Sequence, residues 1–151
     1  MKLIKPITYY NEDVVYRFMN IYNVEKEEAD SILEETIKFL SLSSLDFNFF
    51  IDDSMLIIDE MWHNFILFTN DYGKFCFENF GRYIHHQPTT KKEKEEQQIN
   101  KNQKLEEYKI RTKKQYEIIY DNFGEETLNK WFVYFADKYS AEYIKQCFVR
   151  N

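Results

Sequence analysis

Asp52-Asp53-Ser54-Met55-Leu56-Ile57-Ile58-Asp59-Glu60-Met61-Trp62-His63-Asn64-Phe65-Ile66-Leu67-Phe68-Thr69 is the stretch on which the reading of this chain turns. Its Asp/Ser opening supplies side-chain acceptors for the free N–H groups of a helix start, so the pattern predicts a helix from about Met55 to Thr69. At roughly 100° of rotation per residue, Asp59 stacks over His63 and Glu60 over Asn64. The two columns are adjacent and form one polar quadrilateral flanked by Leu56 and Leu67. Ile58, Trp62, Phe65 and Thr69 fall on the opposite side, as expected of a helix with one face against a core.

Upstream, the same period recurs. Asn11 followed by Glu12-Asp13 reads as a cap, after which Val14, Val15, Phe18 and Tyr22 share a face. A second helix opens at Glu25-Lys26-Glu27, with acids at the positive end of its dipole. It carries Ala29, Ile32, Leu33, Thr36, Ile37 and Leu40 as one stripe. Leu45 to Ile51 alternates briefly and reads either as a short extended segment or as a connecting loop.

Downstream, a fourth helix is expected after Asn70-Asp71, ending at Gly81 in a left-handed cap. Residues 89–102 are almost entirely Lys, Glu, Gln and Asn, a charged linker or a solvated extension of the next helix. Leu105, Tyr108, Thr112, Tyr116, Ile119 and Phe123 then step by three and four until Gly124. Glu125 to Lys138 places Leu128, Trp131, Phe132 and Phe135 on one face. Ser140 caps a last helix with Tyr143, Ile144, Cys147 and Phe148 inward. With only 3 Gly and 2 Pro in 151 residues, a β-meander lacks turn formers. The expected fold is a single all-α domain, a compact bundle of about six helices, with a charged connection near 89–102 and C-terminal helices over 103–149.

Hydrophobic content of 44% and aromatic content of 19% argue for a packed core and against disorder. Twenty Lys and Arg against 26 Asp and Glu give a net charge of −6, which disfavours nucleic acid as a partner. No apolar run approaches the ~20 residues of a membrane span, so no membrane association is expected. The opening Met1-Lys2-Leu3-Ile4-Lys5-Pro6 has no signal-peptide core, and Cys76 and Cys147 read as reduced thiols. The expectation is a cytoplasmic protein, and the Asn, Lys and Ile richness suggests a bacterial one. No glycine-rich phosphate loop occurs, so no nucleotide cofactor is expected, and Ser41-Leu42-Ser43-Ser44 lacks the setting of a hydrolase nucleophile.

All 3 histidines fall between His63 and His86, with Cys76 between them. These residue types ligate transition metals and move protons near neutral pH. A carboxylate four residues before a histidine, as in Asp59 and His63, either joins it as a ligand or orients the imidazole. Helix geometry alone makes such a pair an ordinary solvated contact, and Cys76 on its own reads as a small buried side chain. Adjacent His85 and His86, bracketed by Gly81 and Pro88, point in opposite directions, so at most one faces the His63 helix. The Lys91–Lys114 region reads as a solvated helix face. Trp131-Phe132-Val133-Tyr134-Phe135 reads as core, with some of its aromatic surface open to a protein partner.

Asp59-x-x-Trp62-His63, then Tyr72-x-x-x-Cys76, then Gly81-x-x-x-His85-His86, resembles the core of the glycine-rich domain-containing protein-like family, over about residues 51–88. Two positions depart from that pattern. Phe65 stands where a second histidine is common, and Phe75 where an acid often precedes the cysteine. The resemblance implies that Asp59, His63, Cys76 and one of His85 and His86 converge. Two functions are then expected. The first is a small metal-binding protein holding Zn²⁺ or Fe²⁺ through His63, His85 or His86, and Asp59 or Cys76, supported by Glu60, Asn64, Trp62 and Tyr72. The alternative is a metal-free interaction module, in which the same groups form a hydrogen-bond network and an aromatic surface binds a protein. Neither the residues nor the resemblance specifies a reaction, so no catalytic residue is assigned.

Overall fold

The computed structural model describes residues 4–99 and 101–147 of the chain. The fold is all-α and compact, with no strand among the described residues. In order come α1 (Glu12–Ile21), α2 (Lys26–Ser41), a 3₁₀ turn at Leu42–Ser44, a second at Asp53–Met55, α3 (Leu56–Ile66) and α4 (Thr69–Phe80). These are followed by α5 (Lys91–Ile99), α6 (Lys101–Asn129), a π-helical turn at Lys130–Tyr134, α7 (Phe135–Lys138) and α8 (Ala141–Cys147).

The first helices form where the caps and stripes place them. Asn11 Oδ1 accepts from the backbone N–H groups of Asp13 and Val14, and Val14, Val15 and Phe18 of α1 turn fully inward. On α2, Ala29, Ile32, Leu33, Thr36, Ile37 and Leu40 are all buried. That stripe packs on α3 and α1, and each large apolar side chain in it contributes roughly 1.5–3 kcal/mol. Glu35, on the same helix, is also buried. It survives there because Trp131 Nε1–H donates to it at 2.9 Å, while Lys38 and Lys130 lie 3.4 and 3.8 Å away. Removing those partners would strand a buried charge, which makes the cluster a lock between α2 and the C-terminal helices.

The third helix is shorter than its pattern suggests. Asp52 caps a 3₁₀ turn rather than the helix itself, and α3 ends at Ile66. The chain then turns at Leu67–Phe68, and α4 begins at Thr69, three residues earlier than the Asn-Asp signal indicates. The turn lets Phe65 of α3 meet Tyr72 and Phe75 of α4 in the same core, with ring centroids 5.0 and 5.3 Å apart. Thr69 is exposed in consequence. Gly81 closes α4 with φ of 70°, as a left-handed cap requires.

Residues 45–52 are an irregular connection, not a strand. Gln115, fully buried on α6, accepts from Phe50 N–H at 3.0 Å and donates to Phe50 C=O at 2.9 Å, standing in for a partner strand. The charged stretch is helical as α5, and it buries nothing. The apolar stripe of α6 likewise runs past the core: Ile119 is buried, while Leu105 and Tyr108 are about half exposed. Gly124, with φ of 82°, breaks α6. Ser140 caps α8, but Tyr143 is exposed and Ile144 and Cys147 are only half-buried. Phe148 lies outside the described residues. Cys76 and Cys147 are both free thiols.

Candidate functional site

The site is built on the outward column of α3. Asp59 and His63, one turn apart, bring a carboxylate oxygen and His63 Nδ1 within 3.6 Å of each other. The third member comes from the irregular segment after Gly81: His86 Nε2–H donates to Asp59 Oδ1 at 2.6 Å. The His86 ring is held between two others, against Trp62 at 4.0 Å and 22° and against His63 at 4.2 Å and 11°. Burial falls across this stack, from Trp62 at 8% exposed through His86 at 14% to His63 at 54%. One face of the cluster is thus core and the other is open to solvent.

The Trp62 indole is itself fixed. Its Nε1–H donates to the Tyr72 hydroxyl at 2.9 Å, and that hydroxyl donates to Ile84 C=O at 2.6 Å. Burial pushes the Tyr72 phenol above its ordinary pKa, the Trp62 N–H opposes the rise, and neighbouring Cys76 adds to it, so the donated proton stays on the oxygen. The chain Trp62–Tyr72–Ile84 ties α3, α4 and the His86 segment together inside the core.

Asp59, His63 and His86 offer one ligand atom each, and these atoms lie within 4.8 Å of one another. The other residues singled out in the sequence lie elsewhere. His85 is exposed, on the far side of that segment, with its ring against Tyr83 at 4.8 Å. Cys76 is fully buried beside the Tyr72 hydroxyl and does not join the converging atoms. Asn64 is buried and bonded to α1. Glu60 is turned the same way, where its carboxylate accepts from the Tyr22 hydroxyl. Burial raises the Tyr22 phenol above its ordinary pKa and the Glu60 carboxylate adds to this, keeping Tyr22 the donor. The partners of Asn64 and Glu60, Arg17 on α1 and Tyr22 just after it, carry no spacing signal, because they sit 47 and 38 residues from the groups they bond.

The arrangement has two chemical capacities. Asp59 orients the His86 imidazole, whose ring rests on the Trp62 face. The three ligand atoms also form a two-histidine, one-carboxylate set with open positions on the solvent side. As they stand, the two imidazoles are nearly parallel, so their in-plane lone pairs run side by side. A shared ion with metal–N bonds near 2.0–2.1 Å requires the His63 ring to turn and His86 to present a nitrogen free of the proton it gives to Asp59. His63 is half exposed, and the turn would give up its stack on His86.

Fold and site together define an all-α protein carrying an Asp–His–His cluster on the rim of its core. The chain belongs to the UCP032817-like family, which it matches over residues 3–136. No curated protein and no solved structure matches it. The family match corrects the resemblance to the glycine-rich domain-containing protein-like family. That resemblance rested on residues 51–88, a helix pair with its following segment. A short run of Trp, His, Tyr and Cys reports such a local arrangement, whereas the match that sets the family spans most of the chain. No helix among the described residues is long and apolar enough to cross a membrane.

Proposed function

We propose that Asp59, His63 and His86 bind a divalent transition-metal ion of the Zn²⁺ or Fe²⁺ kind, leaving coordination positions open to solvent. The observation that carries this is the convergence of the three ligand atoms within 4.8 Å from two separate elements. Two imidazoles and one carboxylate suit borderline-soft first-row metals better than Ca²⁺ or Mg²⁺, which prefer oxygen ligands alone. An all-protein set of three resembles sites that keep a position for water or substrate more than closed structural sites, which use four. Cys76 and His85 take no part in this set.

Metal analysis of the full chain purified without a polyhistidine tag tests the proposal, together with titration of Zn²⁺ and Co²⁺. Near-stoichiometric metal that is lost in His86→Ala and in His63→Ala, with helicity retained, is the expected result. A wild-type chain that takes up neither ion at micromolar concentration would overturn it.

A second reading is favoured by a different observation, the 2.6 Å Asp59–His86 hydrogen bond on the Trp62 face. In that reading the cluster is a metal-free pin between α3 and the Gly81–Pro88 segment, and exposed aromatic surface such as Tyr134, with Val133 beside it, meets a protein partner. A metal-free wild type that loses stability in His86→Ala would select it.

A further inference from the structure

The geometry points to Tyr72 as the positioning residue of this cluster: its single hydroxyl sets both the segment that carries His86 and the indole on which His86 rests. This deepens the metal reading, on which its affinity readout depends.

The segment after Gly81 has little else to hold it. Among the described residues, none from 82 to 89 makes a backbone–backbone hydrogen bond outside the helices, and only Ile84, at 7% exposed, is buried. Among the described residues its hydrogen bonds to the helices and turns around it are three: Arg82 Nη2 to Ser43 C=O at 2.9 Å, Tyr72 Oη to Ile84 C=O at 2.6 Å, and His86 to Asp59 at 2.6 Å. The Arg82 tie is exposed and competes with water. The His86 tie is the contact that has to be placed. The Tyr72 tie remains, buried and two residues before His86; Ile84 is buried, His85 exposed and His86 partly buried, so side chains two apart share a side here. Fixing Ile84 therefore fixes the side on which the His86 ring emerges. The same oxygen accepts from Trp62 Nε1–H, so the indole plane is set by the atom that sets the segment.

Tyr72→Phe keeps the ring, which packs edge-on against Phe65 and Tyr83 at 5.0 and 5.2 Å, and removes only the hydroxyl. Two readouts on the full chain test the role, with Phe75→Leu as a core variant that leaves the hydrogen-bond chain intact. The first is Zn²⁺ affinity by chelator competition, expected to fall about 10–100-fold in Tyr72→Phe, the range for groups that orient ligands. It should stay near wild type in Phe75→Leu. The second needs no metal: the His86 ring-proton resonances, displaced upfield by the stacked Trp62, are expected to move toward free-imidazole positions in Tyr72→Phe alone.

A merely structural Tyr72 would lower the melting temperature in both variants and leave the His86 resonances in place, which overturns the inference. Unchanged Zn²⁺ affinity in Tyr72→Phe overturns it as well. If the wild type binds no Zn²⁺, the metal reading fails by itself, and the His86 resonances alone decide the positioning role.

Discussion

Asp59/His63 and Glu60/Asn64 are the same motif shifted by one residue, yet the fold uses them in opposite ways. On the Glu60/Asn64 side α1 covers the helix. Asn64, 3% exposed, accepts from Arg17 Nη1 at 2.7 Å and donates to Val14 C=O at 2.8 Å, while Glu60 accepts from Tyr22. On the Asp59/His63 side no helix follows, only the irregular segment carrying His86, and His63 stays 54% exposed. One column is spent on holding α1 to α3. The other holds a single imidazole and leaves His63 open to solvent. What lies across from each column separates structure from site, and the columns themselves do not.

The comparison breaks most readily at Asn64. In Asn64→Ala the Val14 carbonyl and the Arg17 guanidinium lose a buried partner, and the expected cost is about 2 kcal/mol of unfolding free energy. Urea denaturation measures it, and Zn²⁺ uptake should be unaffected. A loss below about 0.5 kcal/mol, the range of ordinary surface changes, would mean that this column is not a lock. Tyr22→Phe comes next. It removes a hydrogen bond to a carboxylate that is itself half-buried and can recruit water, so about 1 kcal/mol is expected in the same assay. An intact melting curve would show that the Glu60–Tyr22 contact contributes nothing.

The distinction between the columns also marks how far the sequence could be read. The helical period placed α1 and α2 closely, because a stripe such as Ala29 to Leu40 needs only a core to face. It stacked Asp59 over His63, and alternation allowed at most one of His85 and His86 to face them. That one of the two converges with them was implied only by the resemblance over residues 51–88, and Asp59, His63 and His86 do lie together. It gave no means of choosing His86 over His85, since that depends on which face of the segment Tyr72 anchors through Ile84. It drew Cys76 toward the site, although on α4 that position shares the inward side with Tyr72 and Phe75. It set Asn64 beside His63 as a support of the site, whereas Arg17 and Val14 hold it from a helix whose position the local pattern does not contain. It also named the wrong family, since a run of rare residues over one helix pair weighed more than the rest of the chain.

The smallest expected change in stability belongs to His63→Ala, and it carries the most information. The His63–Asp59 contact is 3.6 Å long and more than half exposed on the histidine side, so it contributes at most a few tenths of a kcal/mol. Stacking on His86 adds little while the outer face stays wet. Unfolding free energy is therefore expected within about 0.5 kcal/mol of wild type, with Zn²⁺ uptake lost. That pattern is the inverse of the one expected for Asn64→Ala one position away. Were His63→Ala to destabilise as Asn64→Ala does, while metal content stayed at zero in wild type and variant alike, the two columns would be one structural device. The cluster would then be a pin of α3 to the His86 segment, and the exposed aromatic surface would become the place to look for a partner. A stable chain that has lost only its metal would separate them, because a residue that costs nothing to remove from the fold is retained for what it binds.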